Sequence, residues 1–139
     1  MKFLRRYPLS VVVTLVILGL SLFPIPEVKP LEGVPFIDKW THMVMYAVFA
    51  MTMVVEWRRG VQGELKGSPK GVQGTNVGQY FVGIAIAMGI AIAMGGGIEL
   101  IQPLVHRSCE LMDFWADCVG AVIGVIAGLV AARVYKAGA

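Results

Sequence analysis

Charge is scarce in this sequence. Asp, Glu, Lys and Arg make up only 15% of 139 residues, against 57% hydrophobic, and the mean hydropathy is +0.73. A soluble globule of this length carries far more charge, so the composition points to one domain in a membrane. The net charge of +3 and pI near 9.0 raise the question of nucleic acid. No basic patch is interleaved with aromatics, however; the basic residues flank apolar runs, and their charge reads as topology. Cysteine is scarcer still. Cys109 and Cys118 have no partner cysteines or paired histidines at zinc-ligand spacing. On one helix they stand about 13 Å apart, too far for a disulfide. Incidental or structural thiols are the expectation, with no cofactor.

What the chain does have is long apolar runs. Met1–Arg6 is a basic cap before the uncharged run Tyr7–Phe23, which stops at Pro24 and Pro26. A signal peptide shares that outline, but no A-x-A-like site follows and prolines stand where cleavage would fall, so a retained span is expected. It is about 26 Å long as a helix. Pro24–Pro35 holds four of the seven prolines and reads as an irregular crossing. Phe36–Trp57 is the second span, closed by Trp57, Arg58 and Arg59, which suit a membrane interface. Residues 60–77 are Gly-rich and polar, with GVQG at Gly60–Gly63 and again at Gly71–Gly74, and are expected to form a flexible loop. Gly78–Gln102 is the third span, containing IAIAMG twice in tandem. Alternating Ile and Ala has the period of a strand, but a lone strand cannot satisfy its backbone in lipid, so a helix is expected. After a tight turn at Pro103–Ser108, Asp113–Tyr135 is the fourth span.

The expected fold is therefore an all-α membrane protein: a single domain, residues 1–139, with four transmembrane helices over 7–23, 36–57, 78–102 and 113–135 in a compact bundle. Nine of the twelve Lys and Arg fall on the side of the termini and the Gly-rich loop: Lys2, Arg5, Arg6, Arg58, Arg59, Lys66, Lys70, Arg133 and Lys136. By the positive-inside rule both termini are cytoplasmic. The acidic residues lie mostly on the other side: Glu27, Glu32, Asp38, Glu99, Glu110, Asp113 and Asp117, against Glu56 and Glu64 inside.

Ionisable groups at the mouth of an apolar span usually face a bundle interior and mark a site. Asp38, His42 and Tyr46 are at i, i+4 and i+8, with Lys39 rotated about 100° from Asp38. Glu99 and Gln102 are i, i+3 neighbours, and Asp113 and Asp117 are i, i+4 neighbours. Three helices thus present polar stripes at similar depth, with Arg107 in the turn between two of them. The Asp113/Asp117 row continues through Gly120, Gly124 and Gly128, small residues that let membrane helices approach closely. Such a row serves an internal packing face or a homo-oligomer, and the residues alone do not separate the two.

These residues resemble a family. Asp38-Lys39-x2-His42, Glu99-x2-Gln102, Arg107-Ser108 and Asp113-x3-Asp117-x2-Gly120-Ala121, in that order, resemble the VanZ-like family over roughly Pro35 to Gly128. Asp117 departs from the asparagine usual there, while Glu110 agrees with a commonly acidic position. The resemblance implies a multi-pass protein of the bacterial cytoplasmic membrane, with founding members associated with resistance to the lipoglycopeptide teicoplanin.

Three readings of the cluster follow. Arg107, Lys39 and His42 are suited to holding a membrane lipid or a lipid-linked cell-wall precursor, although the excess of acids also admits a cationic or sugar-bearing ligand. His42 or Glu99 as a general acid/base would make an enzyme, but no activated serine or cysteine accompanies them. Ion pairing of Lys39 and Arg107 with Asp38, Glu99 and Asp113 would simply fix helix register. A metal held by His42, Glu99, Asp113 and Asp117 is allowed by ligand type, but no local spacing specifies it, and no metal site is assigned. Proton transport is disfavoured, because Val11–Leu20 and Val122–Val130 carry no ionisable group.

Overall fold

The computed structural model describes residues 6–23, 36–66, 77–105 and 110–137. All regular structure among them is helical: α1 (Pro8–Leu22), α2 (Ile37–Lys66), α3 (Val77–Ile101), a 3-10 turn (Gln102–Val105) and α4 (Leu111–Ala137). The Ile/Ala alternation of the third run is helix, not strand.

The ends of α1 follow from its prolines. Pro8 occupies the first turn, where its fixed φ suits a helix and its missing N–H costs nothing. At the other end Phe23 turns to extended backbone (φ −92°, ψ 137°), the conformation forced on a residue that precedes a proline, here Pro24. Asp38 in the first turn of α2 and Asp113 in that of α4 place negative charge at the positive end of each helix dipole.

α2 is the centre of the bundle. It makes its most extensive contact with α4 and also packs on α1 and α3. The α2–α4 seam is glycine against backbone: a Cβ on Gly120 would lie 2.1 Å from the Met43 carbonyl oxygen, and one on Gly124 would lie 2.1 Å from that of Ala47. Gly128 repeats the pattern more loosely, 3.1 Å from the Met51 oxygen. The glycine row thus lies inside the chain's own fold. Around it Ile17, Tyr46, Phe49, Ala50, Val54, Ala91, Ile98, Ala121 and Val125 form the buried apolar core.

α2 corrects one expectation. Residues 60–66 are not loop; the helix runs on to Lys66. Val61 is buried, and Gly60 is the point where the Arg6 side chain crosses, its Nε only 2.6 Å from where a Cβ would be. Both glycine and the following valine are therefore packing residues. The Gly-rich stretch beyond, 67–76, lies outside the described residues.

Among the described residues two helices are long and apolar enough to cross a membrane, Gly78–Val105 and Leu111–Arg133, and Pro8–Leu22 is a shorter apolar helix. The distribution of side chains is inverted relative to a water-soluble bundle. Leu15, Phe81, Leu100, Leu104, Leu111, Ile126 and Val130 are exposed, whereas Ser10, His42, Glu56, Glu99, Gln102, Asp113 and Asp117 are buried.

Candidate functional site

The start of α2, the end of α3 and the start of α4 meet at one end of the bundle, and their polar stripes meet there. Lys39 of α2 reaches across to α4, where its ammonium lies 2.7 Å from Asp113 Oδ1 and donates to Glu110, while Asp38 Oδ2 is 3.4 Å away. The backbone N–H of Glu110 donates to Glu99 Oε2 at 2.9 Å, tying the end of α3 to the entry of α4. This outer layer is partly exposed: the Asp38 and Glu110 side chains are about half accessible, that of Asp113 only 6%.

A second, deeper layer lies beneath. His42 Nδ1 is 2.9 Å from Asp117 Oδ1, both side chains almost fully buried. Helical spacing explains the layering, since His42 and Asp117 are each one turn further along than Asp38 and Asp113. Room for the deeper carboxylate comes from Gly95 of α3, where a Cβ would be 2.8 Å from Asp117 Oδ2. The second IAIAMG hexamer therefore ends in a glycine that Asp117 requires. Tyr46, one turn beyond His42, is 1% exposed, and its hydroxyl has no hydrogen-bond partner. It lies within electrostatic reach of Asp117 and Glu99.

Histidine 42 is shared by two sets of potential metal ligands. One donor atom from each of Asp38, His42 and Asp113 lies within 4.8 Å of the others, and the same holds for His42, Glu99 and Asp117. The first set includes an accessible residue; all of the second set is buried.

Of the residues singled out from sequence, Asp38, Lys39, His42, Tyr46, Glu99, Asp113 and Asp117 converge on this end. Gln102 also reaches it, buried, and its Nε2 donates to the Ser21 carbonyl at 3.5 Å, joining the 3-10 turn to α1. Arg107 lies outside the described residues. Glu110 is missing from the residues chosen by helical spacing, although it falls three before Asp113 and so on nearly the same face. Two buried charges at the opposite end were read from sequence only as topology, Arg58 as an interface residue and Glu56 as an inner-side acid, not as buried partners. Glu56 caps α1, and the Arg58 guanidinium sits 4.8 Å from the Tyr80 ring centroid, with Nη2 3.3 Å from the Tyr80 hydroxyl.

Chemically, the His42–Asp117 pair is the base-and-orienter half of a nucleophilic relay. Among the described residues no serine or cysteine stands with it as nucleophile. The arrangement lends itself better to binding: a stack of hydrogen-bonding and charged groups, anchored on three helices, with its outer layer partly exposed at the end of an apolar bundle.

Comparison with family models, with curated proteins and with solved structures finds no match to this chain.

Proposed function

We propose that this chain is a VanZ-like integral membrane protein that binds a lipid or lipid-linked cell-wall ligand in the two-layered polar mouth, at outer-leaflet depth, and contributes to lipoglycopeptide resistance of the teicoplanin type. The carrying observation is the burial of His42, Glu99, Asp113 and Asp117 together, from three helices, at one end of a bundle whose outer faces are apolar. Polar groups are costly at such depth and usually serve a site. The spacing of charges along α2 supports a spanning role. Lys39 and Arg58 are separated by about 28 Å of helix, close to the hydrocarbon thickness of about 30 Å. With the Lys/Arg-rich side in the cytoplasm of a bacterium, the mouth faces outward.

Lys39 supplies a cation at headgroup level, and its aliphatic stem lets it move along the mouth while remaining charged. Arg107, which the sequence puts between α3 and α4, is a bidentate donor suited to phosphate or carboxylate.

A second reading, that the cluster only locks the bundle, is favoured by the cross-helix pairs Lys39–Asp113 and His42–Asp117. Native mass spectrometry of the purified full chain separates the two. Under the binding reading a lipid or lipid-linked species co-purifies and is lost in Glu99→Gln or Arg107→Ala while the variants still accumulate in the membrane. Absence of any bound species, with both variants vanishing from the membrane, sinks it.

A further inference from the structure

We propose that His42, Glu99 and Asp117 form a site for one divalent transition-metal cation, with the Tyr46 hydroxyl as an outer partner. One imidazole and two carboxylates are a ligand set that first-row divalent ions accept, zinc and manganese among them. A tetrahedral ion with bonds of about 2.0–2.1 Å holds its ligand atoms about 3.4 Å apart. The donor atoms here already lie within 4.8 Å of one another, and the His42–Asp117 pair is at 2.9 Å. Bringing all three onto an ion takes shifts of about an ångström, which carboxylate torsions supply because their terminal rotamers are broad.

Two observations choose this set over the neighbouring Asp38, His42 and Asp113. In the outer set the Lys39 ammonium already lies against Asp113 and Asp38, so a positive charge stands where a metal would otherwise sit. The deeper set is wholly buried, which removes competition from water and favours a defined coordination shell. The independent pointer to a ligand is Tyr46. Its hydroxyl is buried and without a hydrogen-bond partner, on the same helix face as His42 and one turn beyond it. A buried hydroxyl left unsatisfied is uncommon and calls for an explanation, and a water on the fourth position of a metal held by three protein ligands provides it.

Charge gives the same answer. Among the described residues this end holds five carboxylates, Asp38, Glu99, Glu110, Asp113 and Asp117, against the one permanent cation Lys39, and a divalent ion offsets part of that excess. It would also give an acid-rich mouth the positive charge that an anionic headgroup needs. That consequence rests on the proposed function; the metal site itself does not.

The test uses the full chain purified in detergent, stripped with chelator and titrated with Co2+ alone, no lipid being added. The expected result is one equivalent of Co2+ per chain with visible ligand-field absorption, displaced by Zn2+. Glu99→Gln and Asp117→Asn, which preserve side-chain shape, weaken binding by about 100-fold or more, and Tyr46→Phe by about 10-fold, as outer partners of metal sites do. The control His106→Ala/Cys109→Ser binds like the parent. Absence of ligand-field absorption in the parent overturns the site, as does retention of full affinity in Asp117→Asn or loss of binding in the control.

Discussion

The carboxylate of Glu56 closes the N-terminus of α1, accepting from the Ser10 N–H at 3.0 Å, the Ser10 hydroxyl at 2.6 Å and the Leu9 N–H at 2.8 Å. The first amides of a helix have no partner within it, and Tyr7, at the capping position, supplies no side-chain bond. In an apolar setting those amides must find an acceptor, and α2 provides one. Glu56→Ala is therefore expected to lower stability by about 3 kcal/mol, and Ser10→Ala by about 1 kcal/mol. Reversible unfolding in detergent micelles checks this; an unchanged Glu56→Ala midpoint would show that α1 is not capped by α2.

The α2–α4 seam makes a graded prediction. Gly120→Ala and Gly124→Ala force a methyl into the backbone of α2, which no side-chain rotamer can relieve, and should cost about 3 kcal/mol or more. Gly128→Ala, with its nearest neighbour at 3.1 Å, should cost about 1 kcal/mol. Gly89→Ala meets nothing within 4 Å and should be neutral or slightly stabilising, because alanine is the better helix former. Equal effects at all four positions, measured by thermal unfolding, would contradict the seam.

The seam and the site differ in how legible they were. Glycines at 120, 124 and 128 announce close approach because their four-residue period is also the period of a helix face. Asp38, His42 and Tyr46 were found the same way, as were Asp113 and Asp117. Gly60 misled, because glycine next to polar residues is as compatible with a loop as with a crossing point, and only the position of Arg6 distinguishes the two. Glu56 and Arg58 gave no periodic signal. Each acts through a single long-range partner on another helix, information that one helix's sequence does not contain. Likewise Gly95 reads as one glycine of a GGG run, until Asp117 is placed against it.

The proposed topology rests on Lys and Arg counting, and Cys109, between α3 and α4 in the sequence, offers a direct measurement. With Cys118→Ser as background, a membrane-impermeant thiol reagent applied to intact cells is expected to label Cys109. Labelling confined to inverted vesicles would turn the protein over and place the polar mouth in the cytoplasm.

Asp117 carries the sharpest prediction, because it faces His42 with a carboxylate that an amide of the same shape can replace. An asparagine carbonyl can still accept from His42 Nδ1–H, so Asp117→Asn should retain the fold at a cost of about 1 kcal/mol. His42→Ala leaves a buried carboxylate without its imidazole and should cost about 3 kcal/mol or more. In a double-mutant cycle with Asp117→Ala the two losses should fail to add by about 1–3 kcal/mol, since the residues are in contact. The decisive comparison is between stability and ligand retention in Asp117→Asn. A folded variant that no longer retains its co-purifying species assigns the carboxylate to binding. A folded variant that retains it removes the carboxylate charge from the binding of that species, because an amide then suffices for it, and leaves the metal titration as the separate readout of the carboxylate.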